Sequence, residues 1–153
     1  IASCLVGSEM CIRDRHVGVV GWPDLLLAQV ADKGDIERVV TVPDPGLESW
    51  MVTGVLAEGL DLVIHHGPPG EVSPTKARPV LAKVRGGRAA VLTVGTRLPG
   101  TAVGIGARVS AYRGVGKGSG RIRGVDMEVE VTSKQATSRG VLTVGERRRL
   151  EAV

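Results

Sequence analysis

The chain has 153 residues, a formal net charge of +4 and three aromatic side chains, Trp22, Trp50 and Tyr112, with no Phe. That length supports one domain core, and the core must be built from Val, Leu, Ile and Ala. No apolar run approaches the roughly 18 residues of a membrane span. The first residues also lack the basic start and apolar stretch of a secretory leader, so the expectation is a soluble cytoplasmic protein with no membrane partner.

The charge is uneven. Between Arg97 and Arg149 eleven basic residues face four acids, a local net of +7, which leaves the front of the chain acidic. A basic half points either to a polyanion partner or to a solvated face.

In chain order, "HVGVVG" (16–21) is a short apolar run closed by Gly, the pattern of a buried strand. "WPDLLLAQVADKGD" predicts a helix with Pro23 in its first turn, Asp24 at its positive end and Gly34 beyond its last turn. Its apolar stripe would be Leu26, Leu27, Val30 and Ala31. "IERVVTV" (36–42) predicts a second strand stopped by the turn signal "PDPG". A helix over 47–60 then carries Trp50, Val55 and Leu56 among its apolar positions, and "DLVIHH" is a third strand. Residues 67–73 are a loop, Ser73-Pro74 opens a third helix reaching about Arg85, and "RAAVLTVG" is a fourth strand. Strands apolar on both faces that alternate with helices predict a parallel sheet covered by helices.

The second half changes period. Val103, Ile105, Ala107, Val109 and Ala111 alternate with small or polar residues, and Val125, Met127, Val129 and Val131 alternate with Asp126, Glu128, Glu130 and Thr132. Such alternation predicts antiparallel strands with one buried and one wet face, and "GVLTVGE" adds a last short strand. "RGVGKGSGRIRG" between them is Gly-rich and basic, the composition of a mobile hairpin tip.

"GWPDLLLAQVADKGDIERVVTVPDPG", "GVLAEGLDLVI", "RAAVLTVG" and "ARVSAYRGVGKGSGRIRGVDMEVEVTSK" together resemble the RecA-like accessory proteins of actinobacterial mutagenic DNA repair, the ImuA type. The resemblance runs from about His16 to Gly145. It implies a partial RecA-like α/β core, parallel strands with flanking helices followed by antiparallel strands. It implies a non-catalytic accessory role in SOS-type translesion synthesis, with error-prone polymerase assembly proteins and single-stranded DNA as partners. The alternative is a fragment of a P-loop NTPase whose phosphate loop lies in a missing N-terminal portion.

The departures from an active RecA-type ATPase are specific. No G-x-x-x-x-G-K-[ST] loop is present to cradle phosphates. "GVGKGSG" (114–120) lies between antiparallel strands and leads into no helix. The resemblance places the Walker B strand at "LDLVIHH", where His65 and His66 stand in place of an acid, and Asp61 sits at the wrong end of the strand. The expectation is therefore no catalysis and no cofactor, with His65 and His66 lining a vestigial nucleotide crevice at the carboxyl ends of the strands.

No metal site is expected, because adjacent strand residues point to opposite faces and His16 is the one other His. Ser73 reads as a helix cap, and Glu128 with Glu130 as one wet strand face. The candidate DNA or partner contact is the basic hairpin of Arg108, Tyr112, Arg113, Lys117, Arg121 and Arg123. There cations would attract a phosphodiester chain and Tyr112 would stack a base.

The opening "LVGSEMCIRDR" (5–15) is similar to a translated sequencing adapter. It gives the expected division into a non-native segment 1–15, a truncated RecA-like domain 16–145 and a basic tail 146–153. That reading removes Cys4 and Cys11 from any redox or metal argument.

Overall fold

The computed structural model describes residues 15–116 and 119–145. The adapter-like segment up to residue 14, Lys117 and the basic tail lie outside the described residues. The chain divides into two compact units, one up to Pro99 and one from Gly100.

The first unit is a four-stranded parallel sheet with strand order β2-β1-β3-β4. Its elements are β1 (Val17–Val20), α1 (Ala28–Lys33), β2 (Val39–Val42), α2 (Ser49–Gly59), β3 (Leu62–Glu71), α3 (Pro74–Gly86) and β4 (Ala90–Arg97). All three strand pairings are parallel, as expected from apolar strands separated by helices. From β1 the chain steps outward to β2, then returns past β1 to β3 and continues to β4. The direction therefore reverses between β1 and β3, which makes that junction the topological switch point of the sheet.

Helices α2 and α3 pack on each other, and α2 also packs on β1 and β3. The face beneath them holds the core of Val20, Val63, Ala57 and Ala89, with Leu56 and Leu60 packed against it. The face of α2 that turns inward is made of Thr53, Gly54 and Ala57, while Val55 and Met51 turn outward. Small inward residues bring α2 close to α3: a Cβ on Gly54 would lie 3.1 Å from Lys83 Cδ. At the opposite end of the strands Asp61 ties three elements together. Its carboxylate accepts the His16 amide at 3.0 Å, its amide donates to the His16 carbonyl, and its carbonyl accepts from Ala90.

Several boundaries differ from the sequence expectation. Helix α1 begins at Ala28, five residues beyond Pro23, and Leu26 is exposed instead of lying on a buried stripe. Residues 36–38 form a 3₁₀ turn capped by Asp35, so β2 begins only at Val39. The loop expected at 67–73 is mostly strand: β3 runs to Glu71, pairing with β4 again at Gly70 and Glu71 after a register shift beyond His66. The shift leaves Pro68 and Pro69 out of the ladder, which suits residues that have no amide to donate.

The second unit is an antiparallel sheet of β5 (Val103–Gly116), β6 (Ser119–Ser133) and β7 (Thr137–Gly145), in that order. Strands β5 and β6 continue through most of the segment read as a mobile tip, pairing as far as Gly116 with Ser119. Ile105 faces Val131, Ala107 faces Val129 and Val109 faces Met127, which puts the apolar alternation on one side. The expected buried face is largely solvent-exposed within this unit: Ile105, Leu142 and Val144 are all exposed.

Candidate functional site

The switch point is flanked by two histidines, each stacked on a tryptophan. His65 and His66 are consecutive on β3 and point to opposite sides of the sheet, as strand geometry requires. His65 turns toward α2 and is 2% exposed. Its ring lies on Trp50 with centroids 3.8 Å apart and planes 18° from parallel. His66 stacks on Trp22, just beyond β1, at 4.9 Å and 19°.

The hydrogen bonds fix which ring nitrogen carries the proton in each. Thr53 Oγ1 donates to the Ser49 carbonyl one helical turn back, at 3.0 Å. Its one proton is thereby used, so it accepts from His65 Nδ1–H at 2.7 Å. The Gly21 carbonyl has no proton to give, so His66 Nδ1–H donates to it at 2.9 Å. Both rings in their neutral form then present Nε2 as a bare lone pair. Burial, with the charge of neighbouring His66 as the second cause, lowers the His65 pKa from 6.5 to about 4. His65 is therefore neutral at physiological pH.

The chain path at Gly21 makes this arrangement possible. Gly21 has φ +73°, and a Cβ there would lie 2.5 Å from the His66 carbonyl oxygen. Its amide donates to the Val42 carbonyl at 2.9 Å while its carbonyl receives His66, so one residue joins the ends of β1, β2 and β3.

A cleft of about 880 Å³ opens beside the histidines, between the start of α2, the end of β3 and the first turns of α3. Apolar groups dominate it, including Leu47, Met51, Val55, Pro68, Pro69 and Pro79. Lys76 and Lys83 stand at the cleft with Glu48 and Glu71, and Lys83 pairs with Glu58 at 3.1 Å. Among the described residues no three His, Cys, Asp or Glu side chains converge as metal ligands.

The basic hairpin is divided by strand alternation. Arg108 pairs with Glu128 and Arg113 with Asp126, both at 2.8 Å, while Arg139 pairs with Glu130. Arg108 is held more firmly protonated by the Glu128 hydrogen bond, and Asp126 is held below its ordinary carboxyl range by Arg113 and then Thr143. Tyr112 pairs with Val125 on the apolar side, while the register shifts between Arg113 and Val115, so Arg121 and Arg123 lie at that irregularity on β6. Lys117 lies outside the described residues. Sequence reading grouped these six because they are close along the hairpin. It missed Thr53 and the two tryptophan stacks, whose one local sign was a Thr among the inward positions of α2.

The fold and cleft define an α/β parallel-sheet unit with a ligand-sized cleft at the carboxyl end of β3. The MT3502 N-terminal domain family matches residues 4–100, and the chain belongs to that family. The match ends at the junction of the two units and at its start extends into the adapter-like segment. An uncharacterized protein of Mycobacterium tuberculosis, Rv3395c, is 34% identical over 122 residues, covering 74% of this chain and 60% of the relative. The chain thus spans about 60% of the length of that curated relative. No solved structure matches the chain.

Proposed function

We propose that this chain is part of a cytoplasmic, RecA-like accessory factor of ImuA type, acting without catalysis in SOS-type translesion DNA repair. It would act by positioning error-prone polymerase assembly proteins, with single-stranded DNA as a second partner. The observation that carries the reading is the succession of a parallel unit and an antiparallel unit, the order that the ImuA-type resemblance implies, with His66 at the position on β3 where that resemblance would put the Walker B acid. His66 is committed to the Gly21 carbonyl and offers no carboxylate to a magnesium–nucleotide complex. In support of a cytoplasmic setting, no helix among the described residues is long and apolar enough to cross a membrane.

Deleting the full gene from its host is expected to abolish damage-induced mutagenesis while leaving spontaneous mutation unchanged. Undiminished induced mutagenesis would contradict the reading. Magnesium-dependent ATP hydrolysis by the full-length protein would favour the P-loop NTPase instead. The DNA part has its own test. Salt-dependent binding of an oligonucleotide should be lost in Arg121→Ala/Arg123→Ala. Absence of binding at low salt removes DNA as a partner.

A further inference from the structure

We infer that the cleft beside α2 is a binding site for a small, largely apolar molecule that donates one hydrogen bond, from a hydroxyl or an N–H, to His65 Nε2. Three separate features of the first unit converge on this. The first is an almost fully buried side chain with an unused acceptor. His65 Nδ1 is spent on Thr53, and no other described residue bonds to the ring. Among the described residues every fully enclosed side-chain nitrogen or oxygen has a partner. Nε2 has none, so it must touch solvent, and the cleft that His65 lines is where it does so. Water satisfies Nε2 in the open cleft, and a ligand donor would take the place of that water.

The second feature is access. Gly67, two residues along β3, also lines the cleft, and a Cβ at that position would lie 3.3 Å from His65 Nε2. Its backbone is not in the left-handed region, so glycine is not required there by conformation. What its missing side chain supplies is an open approach to the nitrogen.

The third feature is the wall chemistry. Met51 and Val55 on α2 and Leu47 in the turn before it are exposed, and they line the cleft together with Pro68, Pro69 and Pro79. An apolar wall with one fixed polar group at its base is the composition of a small-molecule pocket. Because the Thr53–Ser49 relay holds the proton on Nδ1, Nε2 accepts and does not donate. A ligand with a donor is therefore selected over one with only acceptors. Low basicity supports this, since His65 stays uncharged in the physiological range.

The site stands apart from the DNA-repair reading, and its failure would leave that reading intact. The test uses p-cresol and toluene, which match in shape and differ in one hydroxyl, followed by nitrogen-detected NMR of the His65 ring and the Gly67 amide. The expected result is that p-cresol shifts both signals and binds at least about tenfold more tightly than toluene. Gly67→Ala should reduce p-cresol to the level of toluene. Equal binding of the two probes in the unaltered protein, or no shift at His65 and Gly67 with either, overturns the proposal whether or not the variant folds.

Discussion

Acidification from pH 6.5 to 4 will lower the unfolding free energy of the parallel-sheet unit by about 1–3 kcal/mol through His65 alone. The folded protein holds this imidazole neutral, with its pKa lowered to about 4, whereas the unfolded chain protonates it near 6.5. The stabilisation is therefore complete above pH 6.5 and declines as the pH falls. It is gone below the folded-state value, where both states carry the charge. The upper end of the range is the part of the linkage energy released between these two pH values, and the lower end allows for solvent at the cleft screening the ring. Urea denaturation across this range in the wild type and in His65→Phe isolates the effect. Phe keeps the stack on Trp50 but has no proton to gain. The difference between the two curves belongs to His65 and its coupling to the neighbouring His66. Identical pH slopes would show that His65 is not held neutral by the fold.

The second large effect is expected at Gly21. Gly21→Ala places a methyl group 2.5 Å from the His66 carbonyl oxygen at a φ of +73°. The left-handed backbone costs an L-residue about 1–2 kcal/mol. Relieving the clash also disturbs the Gly21–Val42 and Gly21–His66 hydrogen bonds, each worth about 1 kcal/mol. A loss of about 3 kcal/mol in stability is expected, with a change in Trp22 fluorescence as its stack on His66 is released. A loss below about 0.5 kcal/mol would mean that this junction does not hold the strand ends together.

The parts of the fold that sequence made legible were those set by period. Runs such as "VGVV" and "LVIHH" mark parallel strands because both faces are covered, and the alternation through Val125–Val131 marks an antiparallel one. The parts it did not show depend on distant partners. Pro68 and Pro69 argue locally for a loop, and only the ladder with β4 carries β3 past them to Glu71. Leu25, Leu26 and Leu27 invite a helix beginning at Pro23, yet the chain there leads away from Trp22, which is stacked on His66. In the site, the adjacent histidines were visible and their separation to opposite faces followed from strand geometry. Their tautomers were not, because they are set by Thr53, twelve positions away, and by Gly21, forty-five positions away. The basic hairpin shows the reverse case. Its residues are neighbours in sequence, but the pleat sends Arg108 and Arg113 to acids on one side and Tyr112 to the other, and a register shift falls at Arg121 and Arg123.

The arrangement at the crevice rests on His65 being a neutral imidazole, protonated on Nδ1, with its Nε2 lone pair open to the cleft. Nitrogen-15 NMR of the histidine rings between pH 7.5 and 4 measures this directly. The expected spectrum shows His65 with a protonated Nδ1 and a bare Nε2 throughout the neutral range, titrating only near pH 4. A proton on Nε2 at neutral pH, or a titration midpoint near 6.5, would contradict it.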